Sequence, residues 1–270
     1  MKKILTGIII VLVAFYACKN KEEKKAIAVK DSVVTTIAPF ITEMMDSVKR
    51  NPDSVGLRLQ LIDILDSIKN YKEALSQLDS LLLYDSANYN LWIKQGNVLK
   101  HAGDTTAAIT SFDHAFSVYP APEVMLELAN LFAEKKDKRA LIMCDRIEEM
   151  RQGRVVDGYS FFFRGVYFAR LGDKKKALMF FDKSIISNYT FMDAYIEKGG
   201  VLYDEKQFAD ALKVFKTAAT INNTYADAYY WQAKCYEAMK DKDNAIQNYQ
   251  KALGLDKSIK EAVIALKRLQ

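Results

Sequence analysis

Residues 89–122 read YNLWIKQGNVLKHAGDTTAAITSFDHAFSVYPAP, and this stretch decides the fold. Gly96 stands twelve positions before Ala108, and Phe112 stands four after it. The trio recurs outward in both directions. Ala74 lies 34 residues before Ala108, and Ala177, Ala211 and Ala245 follow one another at intervals of 34, with Ala140 completing the set. Four positions after these alanines stand Leu78, Phe112, Cys144, Phe181, Phe215 and Tyr249. Twelve before them stand Ile62, Gly96, Gly165, Gly199 and Ala233, with Ala129 eleven before in the third unit. A fixed period of this length means stacked supersecondary units that bury their apolar faces only against neighbours. A small residue on a first helix is expected to face the alanine of a second helix, so that the backbones approach. The aromatic residue one turn later then fills the space beside them.

The connections agree with two helices per unit. Gly103-Asp104 and Gly172-Asp173 put a glycine where a first helix ends and an aspartate where a second begins, glycine for the left-handed conformation and aspartate to accept a free amide. The spacing predicts helix pairs at 55–88, 89–122, 123–157, 158–191, 192–225 and 226–259. The third departs, with one residue lost before Ala140 and extra residues at Arg151–Asp157. A capping helix is expected within 33–54, its core at Ile41–Lys49. Another is expected at 260–270, where Ala262, Val263, Leu266 and Leu269 share a face.

Composition sets the class. Half of the 270 residues are hydrophobic, with only 4 Pro and 11 Gly, too apolar and too poor in breakers for a disordered chain. The net charge of +5 is concentrated at one end: the 7 Lys and 2 Glu of residues 1–30 leave 32 basic and 32 acidic residues, out of 39 and 34, for the rest. A neutral body has no surplus of cations to displace counterions from phosphates, which argues against nucleic-acid binding.

The motif set Trp92, Gly96, Leu99, Ala108, Phe112, Ala115 and Pro120 resembles the tetratricopeptide repeat family, and the resemblance extends over residues 55–259. It implies an all-α, right-handed α-solenoid of antiparallel helix pairs whose first helices line a concave groove for a protein or peptide partner. Family groove positions fall here on Asn90, Ile93, Asn97 and Lys100, on Tyr159, Phe162 and Val166, on Ile196 and Tyr203, and on Tyr230, Lys234 and Glu237, with Arg170 one position further on. Tyr159, Phe162, Tyr203 and Tyr230 are expected to form an aromatic strip, since aromatic anchors dominate many interfaces; the alternative is that they pack into the helices. Asn97 and Asn130 echo the carboxylate clamp of the chaperone-binding members, but its Lys and Arg are missing. The implied role is a scaffold; self-association into a homodimer is the competing reading.

The first residues read as an address. Met1-Lys2-Lys3 and the apolar run Ile4–Phe15 form a signal-peptide pattern, too short to span a bilayer permanently. Phe15-Tyr16-Ala17-Cys18 resembles a bacterial lipobox, which implies cleavage after residue 17, acylation of Cys18 and a charged tether over 18–32. Lys19 in place of the inner-membrane retention Asp points to the outer membrane. An ordinary signal-anchor helix with an incidental cysteine is the alternative.

No chemistry stands out. The two histidines, His101 and His114, have no Cys or His at ligand spacing, and no nucleophile–base set or phosphate loop is present, so neither enzyme activity nor a metal or cofactor is expected. Cys144 and Cys235 lie two repeats apart, too far for a disulfide, and are expected to be core thiols.

Overall fold

The computed structural model describes residues 39–270. The leader, Cys18, the tether and positions 33–38 of the expected first cap lie outside the described residues. Among the described residues all regular structure is helical: α1 (39–50), α2 (Val55–Ser67), α3 (Tyr71–Tyr84), α4 (Tyr89–His101), α5 (Thr105–Val118), α6 (Pro122–Glu134), α7 (Arg139–Glu149), α8 (Arg154–Leu171), α9 (Lys174–Ser187), α10 (Met192–Asp204), α11 (Phe208–Ile221), α12 (Ala226–Ala238), α13 (Lys242–Leu255) and α14 (Lys260–Leu269). None of them is long and apolar enough to cross a membrane.

The chain forms two compact units. The first holds residues 39–87 and 97–104. Its α2 and α3 pack as a pair around Leu61, Ile62, Leu65, Ala74 and Leu78, each at 1% exposure or less. Arg58 donates to Gln77 Oε1 at 3.0 Å across the pair, and His101 lies 2.9 Å from the Asp66 carboxylate.

The second unit holds residues 88–96 and 105–270. It is an α-solenoid of antiparallel helix pairs: α6 packs on α7, α8 on α9, α10 on α11 and α12 on α13, and each pair abuts the next through α7–α8, α9–α10 and α11–α12. All six recurring alanines of the chain, Ala74, Ala108, Ala140, Ala177, Ala211 and Ala245, are fully buried. The tight approach that dictates glycine differs from the sequence expectation. A Cβ at Gly96, Gly165 or Gly199 would meet the ring of Phe112, Phe181 or Phe215, at 2.7, 2.5 and 2.3 Å. The small residue on the first helix therefore makes room for the aromatic ring one turn beyond the alanine.

The irregular third pair has a local cause. Arg151 and Gly153 take positive φ (52° and 101°), and the residues after them become an additional first turn of α8, which runs 18 residues against 13 for α6, α10 and α12. A polar network stitches α7 to α8. Ser160 Oγ donates to Glu148 at 2.7 Å, and Arg164 reaches Glu148 at 2.9 Å and Asp145 at 2.5 Å.

Candidate functional site

A cleft of about 420 Å³ opens in the second unit between α10, α12 and α14, a volume suited to several side chains of a ligand. Helical spacing builds its walls. Tyr230, Lys234 and Glu237 lie three and four residues apart on one face of α12, and Glu261, Ile264 and Arg268 line the facing stretch of α14. Tyr203 from α10 and Tyr249 from α13 complete the lining.

The polar groups are held in definite states. Glu237 is satisfied twice, by the Tyr249 hydroxyl donating to Oε2 at 2.9 Å and by Arg268 Nη2 donating to Oε1. Burial, reinforced by the hydrogen bond to Glu237, lifts Tyr249 far above the usual phenol range. Burial also raises Tyr203 and Tyr230, so the lining phenols are neutral donors at physiological pH. The Lys234 ammonium sits 4.0 Å from the ring centroid of Trp231, 5.0 Å from Tyr203 and 5.8 Å from Tyr230. Among the described residues no carboxylate pairs with it.

The expected groove residues divide. Tyr203, Tyr230, Lys234 and Glu237 come together in the cleft. Ile196 is half-buried against the cluster of Leu202, Ala211, Phe215 and Cys235. Phe162 and Val166 do not face a groove: both are buried, and the Phe191 ring, at the start of α10, closes over Phe162 at 4.8 Å and over Tyr159 at 4.7 Å. The four-residue aromatic strip is therefore two separate pairs. Arg170 is committed to protein, its guanidinium forked between Glu134 (2.8 and 2.9 Å) and Glu197 (both 3.1 Å), tying α6, α8 and α10 together. Asn90 is exposed and Ile93 half-buried in the second unit, while Asn97 and Lys100 are half-buried in the first, so these four do not belong to one compact body.

Sequence reasoning missed the α14 wall, although the signal was present. Glu261, Ile264 and Arg268 fall 34 residues after Asp227, Tyr230 and Lys234, so α14 continues the first-helix register while also covering α13. His114 stacks on Trp92 at 4.4 Å on the surface. Among the described residues no cluster of three His, Cys, Asp or Glu side chains suits a metal ion. Cys144 and Cys235 are free thiols buried in the core.

The family model of the tetratricopeptide repeat matches residues 226–259, which contain α12 and α13, two of the helices that line the cleft. Among solved structures, a tetratricopeptide repeat protein from Parabacteroides merdae has a TM-score of 0.69 at 16% identity, over 85% of this chain and 90% of that one. PilW, a widely conserved type IV pilus biogenesis factor, has a TM-score of 0.63 at 17% identity over 78% and 97%. A curated protein of Dictyostelium discoideum, the DnaJ homolog subfamily C member 7 homolog, is 21% identical over 246 residues. The match takes in 88% of this chain and 42% of that protein, so the chain spans about two fifths of its relative's length. At these identities the structures share the fold; the repeat itself is identified at 226–259.

Proposed function

We propose that this chain is a non-catalytic, envelope-anchored scaffold that holds a segment of another protein in the cleft between α10, α12 and α14. The observation that carries the reading is the convergence of first-helix positions from three successive units, with aromatic, aliphatic and charged groups, on one open cleft. Such a mixture suits a polypeptide, which offers apolar anchors together with hydrogen-bonding groups. Proteins built from this repeat bind protein or peptide partners as a class, and assembly of an envelope structure, by analogy with PilW as a pilus biogenesis factor, is the setting we propose. The acyl chains of a lipidated Cys18, seated in the outer membrane, would supply the anchor.

Two measurements test the proposal. Random dodecapeptides displayed on phage are selected against the purified protein, and recovered peptides are titrated in a Trp92→Phe background so that Trp231, whose ring centroid lies 4.0 Å from the Lys234 ammonium, is the reporting indole. Saturable change in its emission is expected; failure to recover any binding peptide sinks the peptide-holding role. In cells, the unaltered protein is expected to lose its leader and to incorporate radiolabelled palmitate, and Cys18→Ser to lose the label. A protein that stays membrane-bound with its leader uncleaved and takes up no label contradicts the lipid anchor and favours a signal-anchor helix.

A further inference from the structure

The four charged groups of the cleft are not equivalent. Glu237 and Arg268 satisfy each other, with Tyr249 as a second donor to the carboxylate. That leaves Lys234 and Glu261. Glu261 is an exposed carboxylate on α14. Lys234 is a half-buried ammonium held over the Trp231 ring with no carboxylate of the described residues against it. The rings stabilise its charge and fix its position, yet they accept none of the three hydrogen bonds an ammonium can donate. A cation placed this way is pre-organised for an incoming anion, because little rotamer freedom remains to be lost when the anion arrives.

Resting on the peptide-holding reading above, we propose that the cleft selects an acidic segment of its partner, one whose Asp or Glu carboxylate lands on Lys234 while an aliphatic neighbour packs against Ile264 and Tyr230. The charge distribution favours a single carboxylate over a polyanion. The Glu237–Arg268 pair contributes no net charge, and Glu261 on the opposite wall repels a second negative group. Nucleic acid would meet that carboxylate on a body whose acidic and basic residues balance.

The dodecapeptides recovered by selection decide the matter. Asp or Glu is expected at one enriched position beside an aliphatic residue. Replacing it by Asn or Gln in the peptide is expected to weaken binding about tenfold or more, and raising the salt concentration is expected to weaken only the acidic form. Both measurements leave the residues of the cleft unaltered. Lys234→Met keeps the aliphatic stem over Trp231 and removes the charge; it is expected to abolish the difference between acidic and neutralised peptides, and Lys234→Arg to restore it. Peptides that bind without an acidic preference, or an acidic preference untouched by Lys234→Met, overturn the carboxylate assignment and leave the peptide-holding role standing. Recovery of no peptide at all overturns both. Binding of oligothymidylate that is lost in Lys234→Met overturns the assignment in favour of a polyanion surface.

Discussion

Gly199 is the most tightly constrained glycine of the three that face rings. An added Cβ would lie 2.3 Å from two carbons of Phe215, and that fully buried ring is itself stacked on Trp231 at 5.5 Å and 18°. Gly199→Ala is therefore expected to destabilise by about 1–3 kcal/mol through overpacking, and Phe215→Ala by about 3–5 kcal/mol through the lost aromatic core. The double variant should cost less than the sum, since the clash disappears with the ring; additive urea-unfolding energies would disprove the contact. The thiols make a second residue-level prediction. Burial pushes Cys144 up to about 11 and Cys235 up to about 12, so iodoacetamide at pH 8 should modify neither position in the folded protein and both in urea, as read by peptide mapping. Above the ordinary thiol value near 9 the unfolded chain releases protons that the folded chain keeps, so the Cys235 contribution is fully present below pH 9 and is lost as pH rises toward about 12. Urea midpoints should fall across that window, less steeply in Cys235→Ala.

At the scale of the element, the turn between the two helices of each pair repeats one backbone state in two kinds of residue. Gly103 and Gly172 take positive φ there, and so do Lys69, Lys136, Lys206 and Lys240, at 64°, 59°, 61° and 65°. A left-handed lysine carries a steric cost between Cβ and carbonyl that glycine lacks. Lys206→Gly is expected to stabilise by about 0.5–1 kcal/mol, the relief being partly offset by the freer unfolded chain. An unchanged or lowered unfolding midpoint would mean that the lysine side chain contributes more than its strain costs. Second helices are capped unevenly. Asp241 accepts from the Asn244 amide at 3.2 Å and from its side chain at 2.7 Å, whereas Gln207 makes no side-chain cap before α11. Asp241→Ala should lose about 1 kcal/mol, measurable as a lower melting temperature.

For the second unit as a whole, α14 has two tasks. Its Ala262 and Ala265, with Leu266 and Leu269 beside them, cover the Ala233, Ala245 and Tyr249 cluster, and the adjoining face, through Glu261, Ile264, Ala265 and Arg268, lines the cleft. Stacked repeats depend on each neighbour to cover an apolar face, so removal of 260–270 uncovers Tyr249 and deprives Glu237 of Arg268 at once. The shortened protein is expected to melt a few degrees lower and to bind none of the selected peptides. Retention of full peptide affinity would place the binding surface elsewhere. The Arg170 fork works similarly over a shorter range: a side chain that looked available from its register joins three helices through Glu134 and Glu197.

Helix content, pairing and the identity of the close-packed positions follow from the sequence alone, because each unit folds from residues within about one period and touches only its neighbours. Spacing of 34 therefore carries over directly into which alanines are buried. Partner choice among long side chains does not follow from spacing. Phe162 and Tyr230 both stand at groove positions, yet Phe191 covers one and leaves the other facing the cleft, and only the packed helices decide between them. Arg170 and Lys234 diverge for the same reason: one reaches two carboxylates on flanking helices, whereas the other meets three aromatic rings and keeps its hydrogen-bonding capacity unspent. Periodicity places a side chain on a face, and the distances across neighbouring helices determine what it meets there.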